Sequence, residues 1–275
     1  MRPGMNLGHA AAGLAIGAAD GFRSATGLLR SLWVYRRPFR QRALRRLYQP
    51  FVPRGGLVFD IGAHLGDRSI AFDRLGARVV AFEPQTRLHR WFAIGHPARR
   101  RIELRSEALG SQTGFACLAV STRHPTVSTL SRRFINDVSR PGYGFEDVNW
   151  DREAAVAVST LDEMIAFYGR PDFCKIDVEG FEADVLAGLS QPLSALSFEF
   201  VRGAEQVALS AVDRLRTLGE YEFNIVLGER RDWIWPMWQP AASVCERLAT
   251  LPPAWRSGDI YARLIDASAT TTKPV

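Results

Sequence analysis

The sequence predicts a doubly wound α/β fold, and three observations carry that prediction. From Leu57 onward, short apolar runs alternate with segments of helical period, the pattern of a mostly parallel sheet with helices on both faces. The first run, Leu57-Val-Phe-Asp-Ile61, ends in a glycine-bearing turn that opens into a helix. The chain has 275 residues, 47 % of them hydrophobic and 23 % charged, which suits a globular body with a sizeable core and excludes disordered, collagen-like and disulfide-scaffold classes.

The elements follow in order. A helix is expected from Asp67 to Leu75, a strand at Arg78-Val-Val-Ala-Phe82, a helix from Thr86 to Ile94 after the turn at Pro84, and a strand from Ile102 to Arg105. Phe115 to Val120 reads as a strand, and the polar segment that follows to Trp150 reads as irregular, a length that in a compact domain signals function or mobility. Thr160 and Glu163 have capping-box spacing and open a helix. Phe173-Cys-Lys-Ile-Asp-Val178 is the clearest buried strand of the second half, with a helix from Gly180 to Leu189 behind it. Leu196 to Phe200, Tyr221 to Leu227 and Asp259 to Ile265 complete the strands, and Ala204 to Leu218 is a helix. The expected organisation is an Arg-rich helical extension over 1–54, one α/β domain over 55–266, and a flexible tail over 267–275.

The charge is uneven. The net charge is +6, yet residues 1–59 alone carry +9, so the rest of the chain is mildly acidic. No acid occurs between Arg23 and Arg54, and Arg36, Arg37, Arg40, Arg42, Arg45 and Arg46 form the densest run. Leu44, Leu47, Tyr48 and Phe51 recur at helical spacing and are expected to pack on the body with the arginines outside. Such a run also suits peripheral contact with an anionic membrane or a lipid-linked substrate, and less readily nucleic acid. Cys117, Cys174 and Cys245 have no paired spacing for a disulfide framework or zinc site. The chain has no run of the roughly 18 apolar residues that span a bilayer. Cytoplasmic localisation is therefore expected, and the use of arginine over lysine suggests a GC-rich bacterial genome.

Phe59-Asp-Ile-Gly-Ala-His-Leu-Gly-Asp67 carries the strongest signal. Glycines permit close approach of backbone to ligand, and amides at a helix start suit a polar group. Glu83, at the end of the next strand, is placed to accept hydrogen bonds from both hydroxyls of a ribose. A nicotinamide dinucleotide would want G-x-G-x-x-G, but His64 stands at its second glycine and Asp60 would face the pyrophosphate. S-adenosylmethionine has a ribose, an ammonium and a sulfonium but no phosphate, and fits these residues better. A purely structural glycine turn is the remaining reading.

These residues resemble the FkbM family of methyltransferases, which transfer a methyl group from S-adenosylmethionine to hydroxyls of small molecules and sugars. The resemblance runs from Leu57 to Phe200 through five pieces in order: Val58-Phe-Asp-Ile-Gly-Ala-His-Leu-Gly-Asp67, Val80-Ala-Phe-Glu-Pro84, Ser106-Glu-Ala-Leu-Gly110, Ser159-Thr-Leu-Asp162 and Lys175-Ile-Asp-Val-Glu-Gly-Phe-Glu182. It implies the seven-stranded class I methyltransferase sheet. It also implies that Asp60, Gly62, Ala63 and Gly66 line the methionine end of the cofactor, that Glu83 holds the ribose, and that Ser106 or Glu107 lies near adenine. His64 and Asp67 belong to the same expected cofactor set; the family more often has Asn at the positions of His64 and Ser106.

Lys175, Asp177 and Glu179 alternate along the expected strand, so their side chains are expected on one face at its carboxyl end, where ligands of open parallel sheets bind. Asp177 or Glu179 is the expected base or acceptor-orienting group, with Lys175 pairing to them. A structural ion cluster is the alternative; two carboxylates also suit a divalent cation, although no metal is required. His124, Glu199 and Trp235 are candidate contacts for the methyl acceptor, Trp235 within the aromatic stretch that otherwise reads as a packed edge of the core. The expected function is O-methylation of a small molecule, sugar or glycan. Its rivals are nucleic-acid methylation through the arginine run and a catalytically inactive binding module of the same fold. Oligomeric state is not legible in the sequence.

Overall fold

A computed structural model describes residues 38–95, 101–228 and 230–265. The elements are α1 (Pro38–Tyr48), β1 (Leu57–Ile61), α2 (Asp67–Leu75), β2 (Arg78–Phe82), α3 (Thr86–Gly95), β3 (Ile102–Arg105), β4 (Ala108–Leu109) and β5 (Gly114–Val120). There follow α4 (Arg132–Val138), β6 (Arg152–Ser159), α5 (Leu161–Tyr168), β7 (Phe173–Ile176), α6 (Glu182–Ala187) and β8 (Ala195–Val201). The chain continues through α7 (Glu205–Leu218), β9 (Tyr221–Leu227), β10 (Gln239–Pro240), α8 (Ala241–Ala249) and β11 (Ser257–Leu264).

The main sheet has the order β10-β9-β11-β8-β7-β1-β2-β3. Strands β3, β2, β1, β7 and β8 are parallel, and β11 enters antiparallel between β8 and β9. The sheet thus has eight strands rather than the expected seven, because the two-residue β10 adds an edge to β9. The chain builds outward from β1 to β3 and then returns to lay β7 on the other side of β1, so a crevice opens between the carboxyl ends of β1 and β7.

Alternation along the strands divides the core in two. Phe59, Ile61, Val80 and Phe82 face one side with Leu161, Val185, Val212 and Val244 from the helices. Val58, Val79, Ala81 and Phe173 face the other side with Phe72 of α2 and Leu44, Leu47 and Tyr48 of α1. The Tyr48 ring is fully buried, 4.6 Å from Phe72 and 5.6 Å from Phe173 between centroids. Burial of Leu44 and Leu47 holds α1 to the body by about 2 kcal/mol each. Arg42 and Arg46 remain exposed, as the periodicity predicted, whereas Arg40 turns inward to Asp67.

Four features depart from the sequence reading. Strand β7 ends at Ile176 rather than Val178, and α6 begins at Glu182 rather than Gly180. Strand β6, unannounced because its Ala-rich segment has weak strand propensity, forms a second three-stranded sheet with β4 and β5. Helix α4 lies inside the segment expected to be irregular, its N-terminus capped by the Ser131 hydroxyl accepting from Phe134 N. Helix α8 was also not foreseen. Among the described residues, no helix is long and apolar enough to cross a membrane. Residues 1–37 of the expected Arg-rich extension, Arg36 and Arg37 among them, and the 267–275 tail lie outside them.

Candidate functional site

The turn after β1 is shaped by two close approaches. Gly62 adopts φ 78, and a Cβ built on it would lie 1.8 Å from the Asp177 carbonyl oxygen. Gly66, also at φ 78, caps α2, and a Cβ there would lie 2.4 Å from the Phe92 ring. Gly62 N and Ala63 N both donate to Phe82 O, at 2.9 and 3.0 Å, which ties the turn to the end of β2. His64 adopts φ 49, and its amide donates to Glu83 Oε2 at 3.0 Å. Gln85 N donates to Glu83 Oε1 at 2.8 Å. Glu83 is thereby fixed where it lines the crevice, and its burial pushes the carboxyl up to about 7. Asp60, on β1, accepts from the Ser69 hydroxyl; burial pushes it up to about 6 against the pull of Lys175. Burial pushes the His64 imidazole down to about 4, so it is neutral at neutral pH.

Beyond β7 the cleft carries a second group of acids. Lys175, 1 % exposed, donates from Nζ to Asp177 Oδ2 at 2.6 Å. Burial disfavours its charge, but Asp177 and Asp259 outweigh that and hold the ammonium protonated. Burial likewise works against Asp177, yet Lys175 and Arg68 keep its carboxyl below the usual carboxylate range. Glu179 is raised well above that range by burial, then by Asp177 and Glu182. Glu199 is raised by burial and by Glu179 and Asp177, and its Oε2 is buried with no hydrogen-bond partner. One carboxylate oxygen from each of Asp177, Glu179 and Glu199 lies within 4.8 Å of the others, a spacing an oxygen-liganded cation can bridge.

The structure brings together most of the predicted residues. Asp60, Gly62, Ala63, His64, Asp67, Glu83 and Glu107 line the cleft from the β1–β2 side, and Asp177, Glu179 and Glu199 from the β7–β8 side. Asp67 spends its carboxylate on Arg40 and Arg68. Five others do not line it. Gly66 packs behind it on Phe92, Ser106 is exposed, and Lys175 lies beneath, reaching it through Asp177. His124 precedes a single 3-10 turn at Pro125–Val127. Trp235 packs against the core, its carbonyl accepting from Asn224 Nδ2 at 3.0 Å. Asp177 and Glu179 converge on the cleft not through strand alternation, as expected, but because the chain leaves β7 and turns left-handed at Glu179, φ 53.

Sequence reasoning missed Gln85, Arg68, Thr129 and Asp259. Gln85 Nε2 donates to Pro125 O at 3.0 Å and holds the segment whose Thr126, Ser128, Thr129 and Leu130 roof the cleft. Asp259 pairs in register with Glu199 and brings a further acid to the same end. Only the position of Gln85, two residues after Glu83, was a signal for any of these.

Charge decides which ligands suit the cleft. Four lining acids stand on the β1–β3 side, Asp60, Asp67, Glu83 and Glu107, and four on the other, Asp177, Glu179, Glu199 and Asp259. Among the described residues Arg68 is the one arginine or lysine lining the cleft. A pyrophosphate has no cationic partner there beyond an arginine already paired to Asp67. A cationic, diol-bearing nucleoside suits both the charge and Glu83.

The sequence model of the Methyltransferase FkbM domain matches residues 60–233. No curated protein matches the chain. Similar solved structures include precorrin-6y C5,15-methyltransferase from Geobacter metallireducens, 12 % identical over 82 % of this chain and 86 % of that one, TM-score 0.44. An O-methyltransferase from Bacillus cereus in complex with SAH is 14 % identical over 88 % and 90 %, TM-score 0.43. Aeropyrum pernix fibrillarin with bound S-adenosyl-L-methionine is 12 % identical over 77 % and 68 %, TM-score 0.41.

Proposed function

Because this chain belongs to the FkbM methyltransferase family, we propose that its cleft binds S-adenosylmethionine and that it methylates a hydroxyl of a small molecule, sugar or glycan. The single observation that carries this reading is Glu83, a carboxyl fixed at the end of β2 in a cleft lined, among the described residues, by eight acids and one arginine. Glu83 would hold the ribose diol, and Asp60, Gly62 and Ala63 the methionine end. When bound, S-adenosylmethionine supplies an electrophilic methyl group on a sulfonium, whose charge the ionised Asp177 beyond β7 favours.

An alcohol acceptor must lose its proton as the new bond forms, and the site has carboxylates at that end. Asp177 is held in place by Lys175, so one of its roles is to orient the acceptor oxygen. Asp177 or Glu179 takes the proton. The two raised acids, Glu179 and Glu199, flank the one kept ionised, Asp177.

The test is a transfer assay with methyl-labelled S-adenosylmethionine and a panel of sugars, glycans and hydroxylated small molecules. Label recovered as a methyl ether, with S-adenosylhomocysteine as co-product, supports the reading. Label transferred only to RNA, or only to amines, would overturn O-methylation.

A further inference from the structure

Resting on that functional reading, we propose that Thr129 and Glu182 are positioning residues that lock the left-handed turn at Glu179 and so aim its carboxylate as the acceptor of the hydroxyl proton.

Glu179 is one of two non-glycine residues among those described with positive φ, at 53. A glutamate in that conformation is strained by about 1 kcal/mol or more and persists only where its surroundings hold it. Three contacts do so. The Thr129 hydroxyl donates to Glu179 O at 2.6 Å and accepts from Ser131 N at 2.9 Å, so its single proton is committed to the turn. Thr129 is itself 1 % exposed and its backbone is paired both ways with Ala119, at 2.9 and 3.0 Å. From the opposite side, Glu182 Oε1 accepts from Val178 N at 3.0 Å and from Gly180 N at 3.3 Å. The Phe134 ring closes the third side, where a Cβ on Gly180 would lie 2.3 Å from it.

This lock separates the two candidate bases. Asp177 gives Oδ2 to a buried ammonium, which makes it a poor proton acceptor. Glu179 has no cation of its own among its described contacts, and it faces Asp177 just beyond β7, Glu182 from α6 and Glu199 from β8, with Lys175 the compensating charge. With Glu179 ionised, a state that a bound sulfonium would favour, the O–H bond of the acceptor breaks toward it while the oxygen forms the bond to the methyl carbon; the methyl–sulfur bond breaks and sulfur keeps that electron pair. The roof segment that carries Thr129 is anchored at its other end by Gln85, beside Glu83, so the ribose acid and the base are held by one strap.

The experiment is a carboxyl-carbon NMR titration of the full chain with S-adenosylhomocysteine, Glu179 being assigned by the signal lost in Glu179→Gln. In Thr129→Val the turn relaxes, the carboxylate moves away from its acidic neighbours, and its midpoint falls by about one pH unit or more. Thr129→Ser restores the midpoint. If the valine variant does not fold, Thr129→Ala carries the same comparison. A midpoint unmoved in the folded variant overturns the inference, as does a serine variant that fails to restore it. Wild-type protein that binds no S-adenosylhomocysteine would overturn the functional reading instead.

Discussion

The Asp177 carbonyl oxygen occupies the place where any residue but glycine at position 62 would put its Cβ, 1.8 Å from that built position. The loop after β1 and the turn after β7 therefore meet backbone to backbone at the switch point of the sheet, and the two halves of the cleft are set against each other there. Gly62→Ala combines that overlap with a left-handed φ of 78. It is expected to destabilise the protein by about 3 kcal/mol and to abolish S-adenosylhomocysteine binding in whatever fraction remains folded, measured by denaturant unfolding and calorimetry.

The buried acids predict an inverted pH dependence of stability near neutrality. Burial raises Glu83 and Glu182 to about 7 and Asp60 to about 6, so each holds a proton when folded at a pH where the unfolded chain has lost it. Their contribution is present below the ordinary carboxylate range and declines as pH rises toward about 7. His64, lowered to about 4, has the opposite sign, but its effect is complete once pH exceeds the ordinary histidine value. The depressed acids Asp67 and Asp177 contribute fully throughout this window. The ligand-free protein should therefore melt lower at about pH 8 than at about pH 6, and Glu83→Gln should flatten the slope. A melting temperature that rises over this interval contradicts the burial of these acids.

Lys175 tests the pairing beneath the cleft. Lys175→Met leaves Asp177 without its 2.6 Å partner. The expected loss is about 3 kcal/mol in denaturant unfolding, and the double variant Lys175→Met with Asp177→Asn should recover a measurable part of it. Losses of Lys175→Met and Asp177→Asn that simply add in the double variant would show that the pair is not coupled.

The aromatic stretch separates packing from recognition. Trp233 lies 4.9 Å from Tyr261 and 6.2 Å from Phe51, ring centroid to centroid. Trp233→Ala should lower stability by about 2 kcal/mol while leaving S-adenosylhomocysteine affinity unchanged, read by unfolding and calorimetry on the same preparation.

The sheet was legible because strands such as Leu57–Ile61 and Arg78–Phe82 are continuous apolar runs ending in turn residues, and their bounds match the structure. Leu44, Leu47 and Tyr48 announced the buried face of α1 by spacing alone. The site's β1–β2 half was equally legible, since Asp60, Gly62 and Glu83 sit at strand ends whose place in the sheet follows from chain order. The other half was legible in its residues but not in its geometry. Nothing local in Lys175-Ile-Asp-Val-Glu179 reveals that the strand stops at Ile176, because what turns Glu179 left-handed is Thr129, fifty residues away. Trp235 and His124, named by residue type, do not line the cleft, because type marks what a side chain can bind whereas its direction is set by tertiary contacts such as those of Asn224.

Glu83 offers the most direct test, because the proposed ribose contact rests on its fixed carboxyl. The measurement is calorimetric titration of S-adenosylhomocysteine into the wild-type protein and Glu83→Ala. Saturable binding by the wild type that weakens by about thirtyfold or more in a folded Glu83→Ala variant is the result expected. Folded wild-type protein that binds no S-adenosylhomocysteine, or that binds a nicotinamide dinucleotide in its place, would contradict the account.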